Sequence, residues 1–173
     1  MKPTKVLEIL KVVTWVVFIG LCIRTGAMVF SFFISLFVNS GASKNLYPGY
    51  DLSELQAFSL WHYIVMSAMV IILSGLKAHL FFRIIKIISL INITNPFSEQ
   101  VGKLISKLSS IAFDIAITAF VANTYAKWLL KQQLYFTFDA DPGAYLVLAG
   151  VLFVIAQIFK KGIELQSENE LTV

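Results

Sequence analysis

Four apolar runs dominate this chain, at residues 12–38, 60–82, 108–130 and 145–159. A hydrocarbon core about 30 Å thick is crossed by roughly 20 helical residues, and a backbone in lipid must satisfy its own hydrogen bonds. The runs therefore predict an all-α integral membrane protein, with four transmembrane helices in a bundle forming one domain over residues 1–173. With 58% hydrophobic and 14% charged residues, the composition is that of a membrane protein. The net charge of +4 points to anionic headgroups rather than nucleic acid, because the lysines mostly flank the apolar runs.

The first run contains one charge, Arg24. Thr25-Gly26-Ala27 resembles a signal-peptide cleavage site, but the apolar run resumes at Met28, so an uncleaved first span is expected. The fourth run, about 15 residues long, must extend into the preceding loop or draw Lys160 and Lys161 to snorkel. Residues 160–173 read as a polar tail.

The connections carry their own signals. Residues 39–60 hold Gly41, Ser43, Asn45, Pro48 and Gly49, which is loop chemistry, and Asp51 with Glu54 predicts a helix cap. Beyond residue 82, Arg83 and Lys86 lie on one side and isoleucines on the other, as in a helix lying on a lipid surface. Thr94-Asn95-Pro96 predicts a break, with Asn95 capping a new helix and Pro96 in its first turn. Phe97, Val101, Leu104, Ile105 and Leu108 oppose Glu99, Gln100, Lys103 and Lys107 there, so an amphipathic cytoplasmic helical hairpin is expected between the second and third spans. Asp141-Pro142 predicts another capped start.

Lys2, Lys5, Lys11, Arg83, Lys86, Lys103, Lys107, Lys160 and Lys161 fall on one side of the membrane, with Lys44 and Lys131 on the other. The positive-inside rule then puts both termini in the cytoplasm of a cell whose inner membrane holds the protein.

Ionisable groups inside spans are the candidate site. Ser110, Asp114, Thr118 and Tyr125 share one helical face, as do Gly20, Arg24, Ala27, Ser31 and Ser35. A carboxylate near mid-bilayer costs about 2.5–3.5 kcal/mol on insertion scales, so Asp114 is expected to face other helices or water. Arg24 and Lys77 are its candidate partners, with Ser67 and Ser74 near the Lys77 face. Three arrangements are open: an ion pair that fixes helix register, a ligand or ion site lined by Arg24, Lys77, His79, Asp114 and Tyr125, or a snorkelling arrangement.

Other chemistry is not expected. Cys22 is the one cysteine, and His62 and His79 lack metal-ligand spacing. Asp139-Ala140-Asp141 lacks the later ligands of a calcium loop. No nucleophile elbow, paired-histidine zinc motif or phosphate-binding glycine loop is present, so neither an enzyme nor a cofactor is expected.

Asn95-Pro96-Phe97-Ser98-Glu99 before a basic amphipathic helix, together with the ending Ile158-Phe159-Lys160-Lys161-Gly162-Ile163-Glu164-Leu165-Gln166 and Glu168-Asn169-Glu170-Leu171-Thr172-Val173, resembles the bacterial membrane-protein family called domain of unknown function 2975. The resemblance implies four spans and no established activity. It also implies a cytoplasmic partner, since genes of the family often lie beside one for a small helix-turn-helix transcription regulator. The expected function is that of a signalling or regulatory membrane subunit, with Arg83, Lys86, Lys103, Lys107, Glu164, Glu168 and Glu170 as partner-contact residues. The alternative is a small carrier, channel subunit or immunity-type protein that uses a buried Arg24–Asp114 site, with a homo-oligomer compensating for the small number of spans.

Overall fold

The computed structural model describes residues 3–91, 97–132, 134 and 138–171. The described residues form helices α1 (Pro3–Phe37), α2 (Ser53–Phe58), α3 (Leu60–Leu90), α4 (Glu99–Leu130) and α5 (Pro142–Leu171), with a short 3-10 segment at Ser40–Asn45. Four helices, all but α2, are long and apolar enough to cross a membrane. At 1.5 Å per residue their 30 to 35 residues extend about 45–52 Å, well beyond the hydrocarbon thickness.

Local chemistry sets the helix starts. The Asp141 carboxylate accepts the Ala144 amide at 3.0 Å and Pro142 opens α5, as the Asp-Pro pair predicts. The start of α4 differs from the expectation. Ser98 is its cap, with its hydroxyl accepting the Val101 amide at 3.3 Å, and Asn95 and Pro96 lie outside the described residues. Asp51 accepts both the amide and the hydroxyl of Ser53, which holds its carboxyl below the usual range and orders the entry to α2. The break between α2 and α3 is Ser59, in extended conformation. The polar tail is helical, because α5 continues past the fourth apolar run to Leu171.

The four long helices alternate in direction. Phe18, Thr25 and Ser35 of α1 meet Phe82, Ser74 and Tyr63 of α3, respectively. Tyr125 and Val101 of α4 meet His62 and Ile87 of α3, and Ser109 and Gly102 of α4 meet Ala149 and Ile163 of α5. Neighbours in sequence are neighbours in space, and α1 packs on α3 without reaching α4 or α5. The expected bundle is thus an open row, with α3 and α4 at its centre.

One seam holds this row together. The residues Val101, Ile105, Leu108, Ala112, Ile115, Ala119, Ala122, Ala126 and Leu129 recur at alternating steps of four and three, and every one is buried. This is a heptad pattern, which keeps one stripe against its neighbours along the whole of α4. Alanine supplies four of the nine positions, and without a side chain beyond Cβ it lets helix backbones approach closely where lipid offers no hydrophobic drive.

The gap left between α1 and α4 is filled by the first connection. Leu46, Leu52 and Leu55 are fully or almost fully buried against Met28 of α1, Tyr63 and Met66 of α3, and Ala126 and Leu129 of α4. Ser43 and Leu52 are joined by a backbone hydrogen bond of 3.0 Å, and the Gln56 amide donates to the Ser35 carbonyl at 3.0 Å. Irregular backbone next to membrane helices is tolerated where protein covers it, and here the connection supplies its own core residues.

The seam makes a direct prediction. Ala122→Leu inserts a branched side chain where the Ala122 Cβ is fully buried, whereas Val121→Leu changes a residue on the exposed face. We expect Ala122→Leu to destabilise by about 1–3 kcal/mol and Val121→Leu to be close to neutral, read as thermal unfolding of the detergent-solubilised protein.

Candidate functional site

Arg24 sits in the middle of α1, and its environment is built by a turn. Tyr47-Pro48-Gly49-Tyr50 closes with the Tyr50 amide donating to the Tyr47 carbonyl at 2.8 Å, and Gly49 adopts φ of 92°. Proline followed by a left-handed glycine is the type II pattern, which brings the flanking residues side by side. Both tyrosines consequently face the guanidinium: Arg24 Cζ lies 5.1 Å from the Tyr47 ring centroid and 5.7 Å from that of Tyr50, and Nη2 donates to the Tyr50 hydroxyl at 3.3 Å. Aromatic faces attract a desolvated guanidinium strongly. Arg24 Nε is buried and has no hydrogen-bond partner.

A chamber of about 30 Å³ adjoins this group. Around it stand Arg24 from α1, Tyr50 from the turn, Ser74 and Lys77 from α3, and Phe138 and Asp139 from the segment before α5. Ser74 shares a hydrogen bond of 2.8 Å with Thr25, tying α3 to α1 beside it. The Lys77 ammonium lies 5.2 Å from the Tyr145 ring centroid. Asn123 of α4 places the last wall: its side-chain amide both donates to the Ala140 carbonyl and accepts the Ala140 amide at 3.0 Å. One side chain thereby replaces a backbone partner and holds residues 138–140 against α4.

The five residues expected to share a buried site are distributed among four environments. Arg24 and Lys77 share the chamber. Asp114 is exposed on the outer face of α4 with Phe113, Ile117 and Val121, and no described side chain pairs with its carboxylate. It was expected to face other helices or water, and it turns away from the other helices. The seam uses Ala112 and Ile115, which turns Asp114 outward. His79 is exposed as well, and its Nε2 accepts Arg83 Nε at 3.0 Å one turn along α3. Tyr125 bonds His62 Nδ1 at 2.6 Å and stacks on Trp128 at 5.9 Å, apart from the chamber. Arg24, expected as a partner of Asp114, turns instead to a connection that folds in from beyond the carboxyl end of α1.

At the end where α3 finishes and α4 begins, the helices carry most of the exposed cations. Lys86, Lys103, Lys107, Lys160 and Lys161 are exposed and Arg83 is half-exposed. Phe97 packs on Phe159 at 5.3 Å, and a Cβ on Gly162 would come within 2.6 Å of the Phe97 ring, so glycine is what allows α5 to pass there. Lys103 pairs with Glu99 at 2.8 Å and Lys161 with Glu164 at 3.1 Å. Glu164 thus pairs within its own helix rather than with Arg83, Lys86, Lys103 or Lys107. Glu168 is exposed, and the Glu170 side chain lies outside the described residues.

The model of the family described as protein of unknown function (DUF2975) matches residues 51–173. The chain belongs to this family. The match takes in Ser74, Lys77, Asn123 and Asp139, and begins after Arg24 and the Tyr47–Tyr50 turn. No curated protein and no solved structure matches the chain. The DUF2975 description carries no activity, so the chamber stands on this chain's own residues.

Sequence reasoning passed over Tyr47, Tyr50 and Asn123. The tyrosines bracket a Pro-Gly pair, which signals a turn that presents both of its flanks, but nothing local says that the turn folds inward. Double-mutant cycles separate the two accounts of Arg24. Arg24→Gln with Tyr50→Phe should show a coupling of about 1 kcal/mol in thermal unfolding. Arg24→Gln with Asp114→Asn should be additive within about 0.5 kcal/mol, because the two side chains do not meet.

Proposed function

We propose that this four-span protein is a regulatory subunit of the bacterial inner membrane that works through its basic end, held in the cytoplasm, on a protein partner. The observation that carries this reading is the packed extension of α3, α4 and α5 at that end. Val101, Ile105 and Ala156 form a cluster with Ile87, Ile91, Ile155 and Phe159, so the helix ends make a body with its own core. Each of these helices has 30 to 32 residues, about 15 Å more than a hydrocarbon core requires. A rigid body with a cationic surface is suited to docking an acidic protein face.

The placement in the cytoplasm rests on charge. Lys5, Lys11, Arg83, Lys86, Lys103, Lys107, Lys160 and Lys161 belong to that end, and Lys44, Lys127 and Lys131 to the other. The helix-turn-helix regulator that the family resemblance brings to mind is one partner of the required kind. A carrier or channel built on an Arg24–Asp114 pair has less support, because Asp114 does not line the chamber.

Capture in gentle detergent tests the reading, comparing the intact chain with Lys103→Glu/Lys107→Glu and with a chain ending at Lys161. The intact protein should retain a cytoplasmic protein. The charge-reversed form should lose it while unfolding at the same temperature, since among the described residues Lys107 has no ion pair and Lys103 only an exposed one. The shortened chain should also lose it, because Ile163 no longer packs on Gly102. Equal capture by all three forms would remove the basic end as the contact surface.

A further inference from the structure

Two cationic residues from different membrane-spanning helices line the chamber beside Arg24, and its lining does not balance them. Arg24 and Lys77 come from different helices, and Asp139, exposed at the rim, is the one carboxylate that lines the space. Neither cation forms an ion pair with any described residue, and Arg24 Nε has no hydrogen-bond partner among the described residues. Two positive charges against one negative leave one uncompensated charge in a region where desolvation is costly. Aromatic faces lower that cost without cancelling the charge.

The space also has donors in excess. Lys77 has no hydrogen-bond acceptor among the described residues, and the Tyr50 hydroxyl, which already accepts from Arg24 Nη2, keeps its proton for another partner. The Ser74 hydroxyl borders the same space but gives its proton to Thr25, whose own goes to the Leu21 carbonyl at 2.8 Å, so the free donors are those of Arg24, Lys77 and Tyr50. A space of about 30 Å³ suits a water molecule or a monatomic ion. Water would satisfy donors but leave the charge. We propose that the chamber is a binding site for a halide ion, with chloride as the cellular ligand held between the Arg24 guanidinium and the Lys77 ammonium. The site is independent of any partner at the basic end.

The full chain in detergent, transferred from sodium gluconate into sodium chloride at constant ionic strength, provides the test. Tm should rise by roughly 3–6 °C at ten times the chloride Kd, and bromide should substitute where sulfate does not. Lys77→Gln should abolish the chloride response, and Asp139→Asn, which removes the opposing charge at the rim, should lower the chloride Kd several-fold. Arg24 also holds Tyr47 and Tyr50, so its replacement is a poorer probe than these two. Crystals grown in bromide should show an anomalous-scattering peak between Arg24 and Lys77. A Tm that ignores halide identity would overturn the proposal and leave water as the occupant, as would a chloride response that survives in Lys77→Gln.

Discussion

A guanidinium inside an apolar helix must be surrounded by groups that accept its charge, and much of this structure follows from how Arg24 meets that need. Lipid offers no acceptor and α1 reaches only one neighbouring span. The first connection supplies the missing surroundings by folding inward, with Tyr47 and Tyr50 against the guanidinium and Leu46, Leu52 and Leu55 buried beneath them. A segment whose composition says loop therefore contributes core residues. Its turn, its leucines and Arg24 form one unit, and disturbing any of them exposes polar backbone to the membrane interior.

The second determinant is the seam on α4. Its heptad of buried small and branched residues draws α3 to one side and α5 to the other, and runs from Val101 at the basic end to Leu129. Two regions of possible function thus rest on one helix. Near its middle and carboxyl end the chamber is closed by residues 138–140, which Asn123 holds to α4. At its amino-terminal end Val101 and Gly102 receive α5, where Gly162 clears Phe97. A change in how α4 sits between α3 and α5 would be felt at both ends, because seam residues have two packed neighbours and little room to adjust.

Membership of a family of unknown function leaves the chemistry to the residues themselves. The chamber offers cationic and hydroxyl-bearing residues around a volume of about 30 Å³. The basic end offers a folded surface with exposed lysines. The two regions are built from different residues. The two regions are joined by α3, which carries Lys77 at the chamber and Ile87 at the basic end.

The amino-acid sequence by itself determined the all-helical class, the four apolar segments, the cap at Asp141 and the family, because each depends on local composition and on residues a few positions apart. The depth of Asp114 and of Arg24 was legible for the same reason, since depth along a helix is a matter of counting. Direction was not. Asp114 and Ile115 are adjacent, and which of them faces the interior depends on whether a helix uses its polar stripe or its alanine heptad, a choice made by the neighbours that pack on it. The heptad was present in the sequence, but polar residues in a span drew the attention that small ones should have shared. The tertiary structure alone decided that the first connection folds inward, that Arg24 meets tyrosines rather than a carboxylate, and that Lys77 joins it. Those contacts unite residues far apart in the chain, and only the packing of α1, α3 and α4 creates the gap that the connection fills.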